Sequence, residues 1–249
     1  MKRRVIVTAM GMGALTLAAG ANPTTAAFGA LTRDPQKGIN GGGHGSTKYC
    51  YRVIGVGGAG CNLLAAMRTN GTFDGFRPRT ELIAVDLCPD TLRHVDSAST
   101  ATPERAPFIT LAIGECGSGG RVNVGRAAAL RNHVQLQDLL TGANVVILIA
   151  GLGGGTGSGV TPTLAAWSRN AGVYTVVVAV TPFDFSGSIR QSANALNSLH
   201  SNADHVIHFS NQAVGVELGE EATLGDVFAV QEQRISAWVI DFRSDTINA

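Results

Sequence analysis

The chain has 249 residues, of which 45% are hydrophobic and 15% are charged. This composition indicates a folded protein with a sizeable core and excludes a chain that is disordered throughout. Residues 1–48 contain all three lysines and hold six of the 19 basic but one of the 18 acidic side chains. The rest of the chain is therefore mildly acidic. Residues 49–249 therefore lack the excess of basic side chains that is typical of a nucleic-acid-binding protein, and we expect no nucleic-acid partner.

Residues 1–48 form a basic, glycine-rich extension of a domain that spans residues 49–249. Lys2, Arg3 and Arg4 precede a weakly apolar stretch, residues 5–21, which has the form of a secretory signal. A disordered basic arm or a misassigned start also fits these residues. We expect a cytoplasmic protein, with export or membrane association through this arm as the alternative. No apolar run in the sequence is long enough for a membrane helix.

Short β-branched runs alternate with segments of helical period from residue 49 onwards. The predicted strands are Tyr51 to Val56, Leu82 to Asp86, Phe108 to Ile113, Asn144 to Ala150, Val173 to Val180 and His205 to Phe209. The predicted helices are Gly60 to Arg68, Asp90 to Val95, Val124 to Leu140, Gly159 to Arg169, Ser188 to His200 and Thr223 to Arg243. This alternation predicts a doubly wound α/β fold of the Rossmann type, with a mostly parallel sheet, helices on both faces and a long final helix. Ligands of such folds bind beyond the carboxyl ends of the strands.

The four cysteines are too widely spaced for a zinc or redox motif, and we expect free thiols.

A first glycine turn joins the first predicted strand to the first helix. Gly55, Gly57 and Gly60 form a G-x-G-x-x-G pattern, in which free amides at a helix start can bind a phosphate. Asp86, at the end of the second strand, stands where dinucleotide-binding proteins place a ribose-binding acid. The turn therefore fits an NAD-dependent dehydrogenase as well as other nucleotide-binding proteins. A tight turn that binds no ligand remains an alternative interpretation.

A second glycine turn, Gly151–Gly159, follows the most apolar strand and has six glycines in nine positions. So many glycines carry a cost in chain entropy that a simple connection does not need, and we infer a ligand that is gripped by backbone amides and hydroxyls. No G-K-[ST] occurs in the chain, which excludes P-loop NTPases. A dehydrogenase has no use for this second turn.

Gly153–Gly159 resembles the G-G-G-T-G-[ST]-G signature of the tubulin and FtsZ family, and the resemblance extends from about Arg52 to the end of the chain. It implies a GTP-binding, FtsZ-like domain of the cell-division cytoskeleton that binds GTP or GDP with Mg²⁺. It also implies a homo-oligomer or co-assembly with a longer FtsZ-type protein. A nucleotide-free structural domain is a third hypothesis.

The resemblance also implies which residues bind the nucleotide. Asn62 would approach the base and ribose, Arg190 the sugar and phosphates, and Asn211 and Phe228 the guanine. A solvated Arg190, a core Phe228 and a helix-capping Asn211 remain the alternatives. The full implied set is Gly57, Gly58, Ala59, Gly60, Asn62, Asp86, Gly117, Ser118, Gly119, Gly120, Gly153, Gly154, Gly155, Thr156, Gly157, Ser158, Arg190, Asn211, Phe228 and Gln233.

This sequence departs from the family pattern at the base-reading and ribose positions. Gln233 stands where the family has a guanine-reading aspartate, and Ser186 where it has a ribose-binding glutamate. Asp86 and Cys88 replace the polar pair of the family's second loop. A glutamine offers one acceptor where a carboxylate offers two, so the choice between GTP and ATP stays open, with Glu232 as a substitute if the helix shifts.

Residues 241–245 superficially resemble the acidic loop with which the family completes its active site on a neighbouring subunit. They follow Phe228 too closely for that loop, so we expect residues 234–249 to continue the long helix. The sequence therefore assigns no catalytic residue and predicts weak or absent autonomous GTPase activity. The acidic loop and the second domain of the family are expected to be missing from this chain.

Overall fold

The structure is a computed structural model that describes residues 50–74, 80–99 and 108–248. The predicted extension of residues 1–48, with its signal-like stretch, lies outside the described residues.

Six parallel strands in the described part of the chain form one sheet in the order β3-β2-β1-β4-β5-β6. Their bounds are β1 Tyr51–Val56, β2 Thr80–Asp86, β3 Phe108–Ala112, β4 Val145–Gly151, β5 Tyr174–Thr181 and β6 His205–Ser210. The predicted doubly wound α/β fold is confirmed. The strand order reverses between β1 and β4, and doubly wound proteins bind their ligands in the crevice at that point.

Eight α-helices accompany the sheet within the described residues: α1 Gly57–Thr69, α2 Pro89–Ser99, α3 Val122–Arg131, α4 His133–Asp138, α5 Gly155–Asn170, α6 Ile189–Asn202, α7 Asn211–Leu218 and α8 Leu224–Asn248. A short 3₁₀ helix covers Asp184–Ser186.

The central strands are apolar on both sides because helices cover both faces of the sheet. On one face Ile54 and Leu148 join a cluster with Leu136, Leu164 and Leu199 from α4, α5 and α6. On the other face Cys61, Ala65, Ala84, Leu92 and Val95 form a second cluster under α1 and α2. This two-sided burial fixes the strands rigidly and leaves the loops at their carboxyl ends to form a site.

The final helix α8 is amphipathic. A row of its buried residues recurs at three- or four-residue spacing, and Ser236 and Trp238 beside this row are buried too, as expected of a helix with one face on the protein: the row is Val227, Gln231, Ile235, Val239 and Phe242. The helix runs without a break to Asn248. The segment of residues 241–245 is therefore helical and is not a loop, as expected from its spacing.

Several helix bounds differ from the sequence prediction. Residues 124–140 form two helices rather than one, because the Asn132 side chain donates to Ala128 O (2.8 Å) and to Ile113 O (3.0 Å) at the break. Helices α1 and α5 begin at Gly57 and Gly155, so part of each glycine turn is the first turn of a helix. Helix α7 was not predicted. Among the described residues, no helix combines the length and hydropathy of a membrane span.

Candidate functional site

The two glycine turns meet at the carboxyl end of the sheet. Gly57 has a φ of +74°, which favours glycine, and a Cβ atom there would lie 3.0 Å from the backbone nitrogen of Gly157. The turns are 100 positions apart in sequence, but β1 and β4 are neighbours in the sheet. The fold therefore brings the starts of α1 and α5 to one place.

The starts of α1 and α5 have no side-chain cap. Val56 and Gly154 occupy the N-cap positions, and neither accepts a hydrogen bond through a side chain. The first helical turn cannot satisfy its own amides, so those of α1 and α5 are available to an external acceptor. An anion at this point would also be stabilised by both helix dipoles.

Some of the glycines are required by packing rather than by a ligand. A Cβ atom at Gly60 would lie 2.2 Å from Ile149 O, and one at Gly157 would lie 2.2 Å from Gly151 O. A Cβ atom at Gly155 would lie 2.6 Å from the backbone nitrogen and oxygen of Arg121. The backbone approaches so closely that no side chain fits. The glycine content of the second turn is thus explained in part by the contact of α5 with its neighbours.

Other glycines border open space. A Cβ atom at Gly117, Gly120 or Gly154 would meet no atom within 4 Å. At Gly58 the nearest atom would be Asp86 Oδ2, at 3.9 Å. These four glycines come from the loops after β1, β3 and β4, and at each of them a ligand can approach the backbone without meeting a side chain.

Buried polar side chains join three loops at the carboxyl end of the sheet. Thr156 Oγ1 lies 3.4 Å from Asp86 Oδ1 and 3.4 Å from Ser118 Oγ, and all three side chains are buried. Asp86 Oδ1 also accepts a hydrogen bond from the Cys88 amide at 3.2 Å. Burial raises the pKa of Asp86, because desolvation disfavours its charged form. Asp86 at the end of β2, Ser118 in the loop between β3 and α3 and Thr156 in the second glycine turn are thus brought together, as predicted.

The Gln191 side chain on α6 hydrogen-bonds to two of these loops. Its Nε2 atom donates to Gly153 O at 2.6 Å and to Gly120 O at 3.1 Å. Gly153 N in turn donates to Ser158 Oγ at 2.8 Å. Sequence reasoning missed Gln191, because a polar residue in the first turn of a predicted helix gives no signal that it points at a loop.

Asn211 and Phe228 lie at the carboxyl end of β6 and on α8. Asn211 Oδ1 accepts from Gln231 Nε2 at 3.2 Å, while Ser210 rather than Asn211 caps α7 by accepting from the Ala213 amide at 3.1 Å. Phe228 is 51% exposed and meets the Phe183 ring edge-on at 6.2 Å. The helix-cap role for Asn211 and the core position for Phe228 are therefore both wrong.

Glu232, rather than Gln233, faces α1. Glu232 and Asn62 line a cavity of about 480 Å³ between α1, α2 and α8, and the Glu232 carboxylate accepts a hydrogen bond from the Asn70 amide group. Gln233 is exposed to solvent on α8. The acid one position before the predicted residue thus shares a cavity with Asn62.

Arg190 is exposed on the wall of a groove of about 640 Å³ between α3, α5 and α6. Arg126, Ser158 and Gln191 line the same groove, so its near end adjoins the second glycine turn. Ser186 is exposed in the 3₁₀ helix and hydrogen-bonds to Ser188 across 2.8 Å between their Oγ atoms. Ser186 thus engages a neighbouring serine and has no buried partner.

Residues 51–216 match the model of the Tubulin/FtsZ family, GTPase domain. The chain belongs to the tubulin/FtsZ family. Phe228 and Glu232 lie beyond the matched range. The NAD-dependent dehydrogenase is not favoured by this assignment.

Known members of the family are similar to this chain in sequence and in fold. It is 32% identical over 180 residues to the cell division protein FtsZ of Pseudomonas aeruginosa, an alignment that covers 72% of this chain and 43% of that protein. The chain thus spans less than half of that relative's length.

Among solved structures, the empty FtsZ dimer of M. jannaschii superimposes with a TM-score of 0.64 at 25% identity, over 78% of this chain and 54% of that one. The GTPγS-bound CetZ2 protofilament of Haloferax volcanii superimposes with a TM-score of 0.61 at 22% identity, over 77% and 58%. The second likeness concerns the fold alone.

Proposed function

We propose that this domain binds GTP or GDP in the cleft between its two glycine turns. The observation that carries the proposal is the contact of two uncapped helix starts at Gly57 and Gly157, beside the open glycines Gly58, Gly117, Gly120 and Gly154. Free amides and two helix dipoles directed at one point are suited to a polyphosphate.

The side chains around the proposed site fall into two groups, one suited to the phosphates and one suited to the nucleoside. Arg190 and Arg126 lie on the groove that begins at Ser158, where they can offset phosphate charge. Asn62 and Glu232 share a cavity on the other side of α1, which suits the nucleoside. Asn211 and the exposed ring of Phe228 complete the base side in this proposal.

Glu232 is the proposed guanine-reading residue in place of Gln233. A carboxylate accepts hydrogen bonds from both the ring N–H and the amino group of guanine, whereas adenine presents no such pair of donors. This choice predicts a preference for GTP over ATP. Gln233, exposed to solvent, then has no part in base recognition.

Mg²⁺ is proposed to bind together with the nucleotide. Among the residues that the structure describes, no group of three or more His, Cys, Asp or Glu could hold a metal ion. The hydroxyls of Thr156 and Ser118 are hard oxygen donors at the cleft, but they are few, so phosphates and water would supply most of the ligands. Magnesium would supply neutralisation of phosphate charge.

Hydrolysis by this chain alone is proposed to be slow. The acidic residues 241 and 245 belong to helix α8 and do not form a loop that could present them to a nucleotide. Losing an acid or base group typically lowers a rate by roughly 10²- to 10⁴-fold. We propose that the domain acts in the cytoplasm as part of a cell-division type assembly, with itself or with a longer FtsZ, and that only residues 1–48 would reach a membrane.

The test is thermal unfolding of the purified chain with GTP, GDP, ATP or NAD. A ligand present at 100 times its dissociation constant stabilises the folded state by about 2.7 kcal/mol. We expect stabilisation by GTP and GDP, less by ATP and none by NAD. Stabilisation by NAD alone would contradict the proposal, and no effect of any ligand would favour the nucleotide-free structural domain. GTP turnover with and without a full-length FtsZ then tests the hydrolysis proposal.

A further inference from the structure

Gln231 is a buried polar residue on the inner face of α8. It is 2% exposed, and the residues one helical turn before and after it, Val227 and Ile235, are buried and apolar. The helical period therefore favours an apolar side chain at position 231 as well. A polar side chain at such a position needs a specific partner, because its removal from water is costly.

The partner of Gln231 is Asn211, the first residue of α7. Gln231 Nε2 donates to Asn211 Oδ1 at 3.2 Å, whereas Gln231 Oε1 is buried and has no hydrogen-bond partner among the described residues. An unpaired buried acceptor lowers stability. A methionine of similar length would fill the same space without that acceptor, so packing alone does not favour glutamine here.

The contact with Gln231 determines which end of the Asn211 carboxamide is left for a ligand. A carboxamide accepts hydrogen bonds through its oxygen and donates them through its nitrogen, and half a turn about χ2 exchanges the two. Gln231 holds Oδ1, and Asn211 Nδ2 donates to no residue in the described part of the chain. The free end of Asn211 is therefore a donor.

The residues that we propose to contact the base flank Gln231 on α8. Phe228 precedes it by three positions, and Glu232 follows it directly. Gln231 itself is too deeply buried to touch a nucleotide, so it can act on one only through Asn211. A purine base has acceptor atoms on its edges, such as O6 and N7 of guanine, and a donor from Asn211 suits any of them.

We propose, on the basis of the proposed nucleotide site, that Gln231 is a positioning residue for base recognition. It holds the Asn211 carboxamide with Nδ2 directed to the base, where Nδ2 donates to an acceptor atom of guanine. Without Gln231 the carboxamide can turn its oxygen towards the same acceptor, and two acceptors repel each other. Gln231 thus raises the affinity for the nucleotide without touching it.

The experiment is calorimetric titration of the full chain with GDP, in a double-mutant cycle of Gln231→Met and Asn211→Ala. Gln231→Met keeps the length of the side chain and removes its donor. Gln135→Met, the same change at an exposed position of α4, is the matched control. Thermal unfolding of each variant measures stability separately from binding.

We expect Gln231→Met to weaken GDP binding about fivefold, as the loss of one ordinary hydrogen bond would, without lowering the melting temperature. Gln135→Met should bind GDP as the wild type does. Asn211→Ala should weaken binding about tenfold. Adding Gln231→Met to Asn211→Ala should then have no further effect, because Gln231 acts only through Asn211.

Three results of the cycle would overturn the inference while the proposed phosphate site stands. The first is wild-type affinity of Gln231→Met, and the second is wild-type affinity of Asn211→Ala. The third is a double variant in which the two effects multiply, which would make Gln231 a structural residue of α8. Failure of the wild type to bind GDP would instead overturn the proposed nucleotide site and the inference together.

Asn211→Asp tests the direction of the carboxamide with Gln231 in place, and so does not depend on the folding of Gln231→Met. The aspartate can still accept from Gln231 Nε2 but offers the base no donor. We expect Asn211→Asp to bind GDP no more tightly than Asn211→Ala. Tighter binding than Asn211→Ala would show that an oxygen at this position serves the base, and would overturn the inference.

Discussion

Gly57 and Gly157 touch across the point where the strand order reverses: a Cβ atom at Gly57 would lie 3.0 Å from the Gly157 nitrogen. This contact brings the uncapped starts of α1 and α5 together. The contact depends on the pairing of β1 with β4 in the sheet, where every residue of β1 from Tyr51 to Val56 has a partner in β4. The candidate site is therefore a consequence of the fold as much as of its loop residues.

Two alanine substitutions in the second turn should separate packing from binding. In Gly157→Ala the new Cβ would lie 2.2 Å from Gly151 O, whereas in Gly154→Ala it would meet no atom within 4 Å. Overpacking of this kind costs about 1 to 3 kcal/mol. We expect Gly157→Ala to lower the melting temperature by several degrees and Gly154→Ala to leave it nearly unchanged.

Gly154→Ala should nevertheless weaken GTP binding, because the methyl group enters the cleft beside the α5 amides. Calorimetric titration measures this effect. If Gly154→Ala binds GTP as the wild type does, the phosphates do not lie at this turn.

Gln191→Ala should loosen the second glycine turn and the loop between β3 and α3. The substitution removes the donor to Gly153 O and Gly120 O, and each hydrogen bond is worth about 1 kcal/mol. We expect GTP affinity to fall roughly tenfold, since about 1.4 kcal/mol corresponds to a factor of ten. Asn197→Ala, further along the same helix, exposed and outside the groove that Arg190 lines, is the control. Equal effects of the two variants on GTP affinity would show that Gln191 has no specific role in nucleotide binding.

Glu232→Gln and Gln233→Ala should distinguish the two candidate base readers. Gln at 232 can still accept from Asn70 but offers one acceptor fewer to guanine. We expect Glu232→Gln to lower GTP affinity roughly tenfold, in line with a lost hydrogen bond to a charged group, and to leave ATP affinity nearly unchanged. Gln233→Ala should change neither. The reverse pattern, measured by competition binding, would restore Gln233 as the base reader.

Thiol alkylation should report on the cleft. Cys116 is exposed in the loop between β3 and α3, whereas Cys61 is buried and its thiol donates towards Gly55 O at 3.4 Å. Because burial raises the pKa of Cys61 to about 12, the folded protein keeps this thiol protonated well above neutral pH. At pH 8 we expect iodoacetamide to modify Cys116 rapidly and Cys61 only after unfolding.

GTP should slow the reaction of Cys116 if the loop between β3 and α3 covers the nucleotide. Mass spectrometry of the alkylated peptides gives both rates. Rapid modification of Cys61 in the native protein would show that α1 opens far more often than its burial implies.

The raised pKa of Cys61 also predicts that the folded protein loses stability at alkaline pH, because the unfolded chain loses the thiol proton first. The pKa of Cys61 is higher in the folded protein than its ordinary value of 9.0, so its contribution is present below pH 9 and declines as the pH rises towards 12. Cys61→Ala removes this group. Its melting temperature should therefore change less than that of the wild type between pH 9 and 11.

The sequence predicted the sheet well because buried parallel strands are continuous apolar runs. The bounds of β1 agree residue for residue, and the other strands differ by one or two positions. The break at Asn132 was not predictable in this way, because it depends on a hydrogen bond to Ile113, which is distant in sequence. Helix α7 was missed because its apolar residues show no helical periodicity.

The glycine-rich parts of the candidate site could be predicted from sequence patterns, whereas the roles of single side chains could not. Both glycine turns follow their predicted strands, and Asp86 and Thr156 are in contact as predicted site residues. The sequence could not tell glycines that serve packing, such as Gly60 and Gly157, from those that border the cleft, such as Gly154. The choice between Glu232 and Gln233 depends on how α8 is rotated against α1, which packing decides.

A crystal structure of the domain with GDP or a non-hydrolysable GTP analogue tests the central claim most directly. We expect the phosphates within hydrogen-bond distance of the backbone amides near Gly58 and Gly154, and the base between Asn62, Glu232 and Phe228. A nucleotide bound elsewhere, with the space beside Gly57 and Gly157 empty at saturating ligand, would contradict the account.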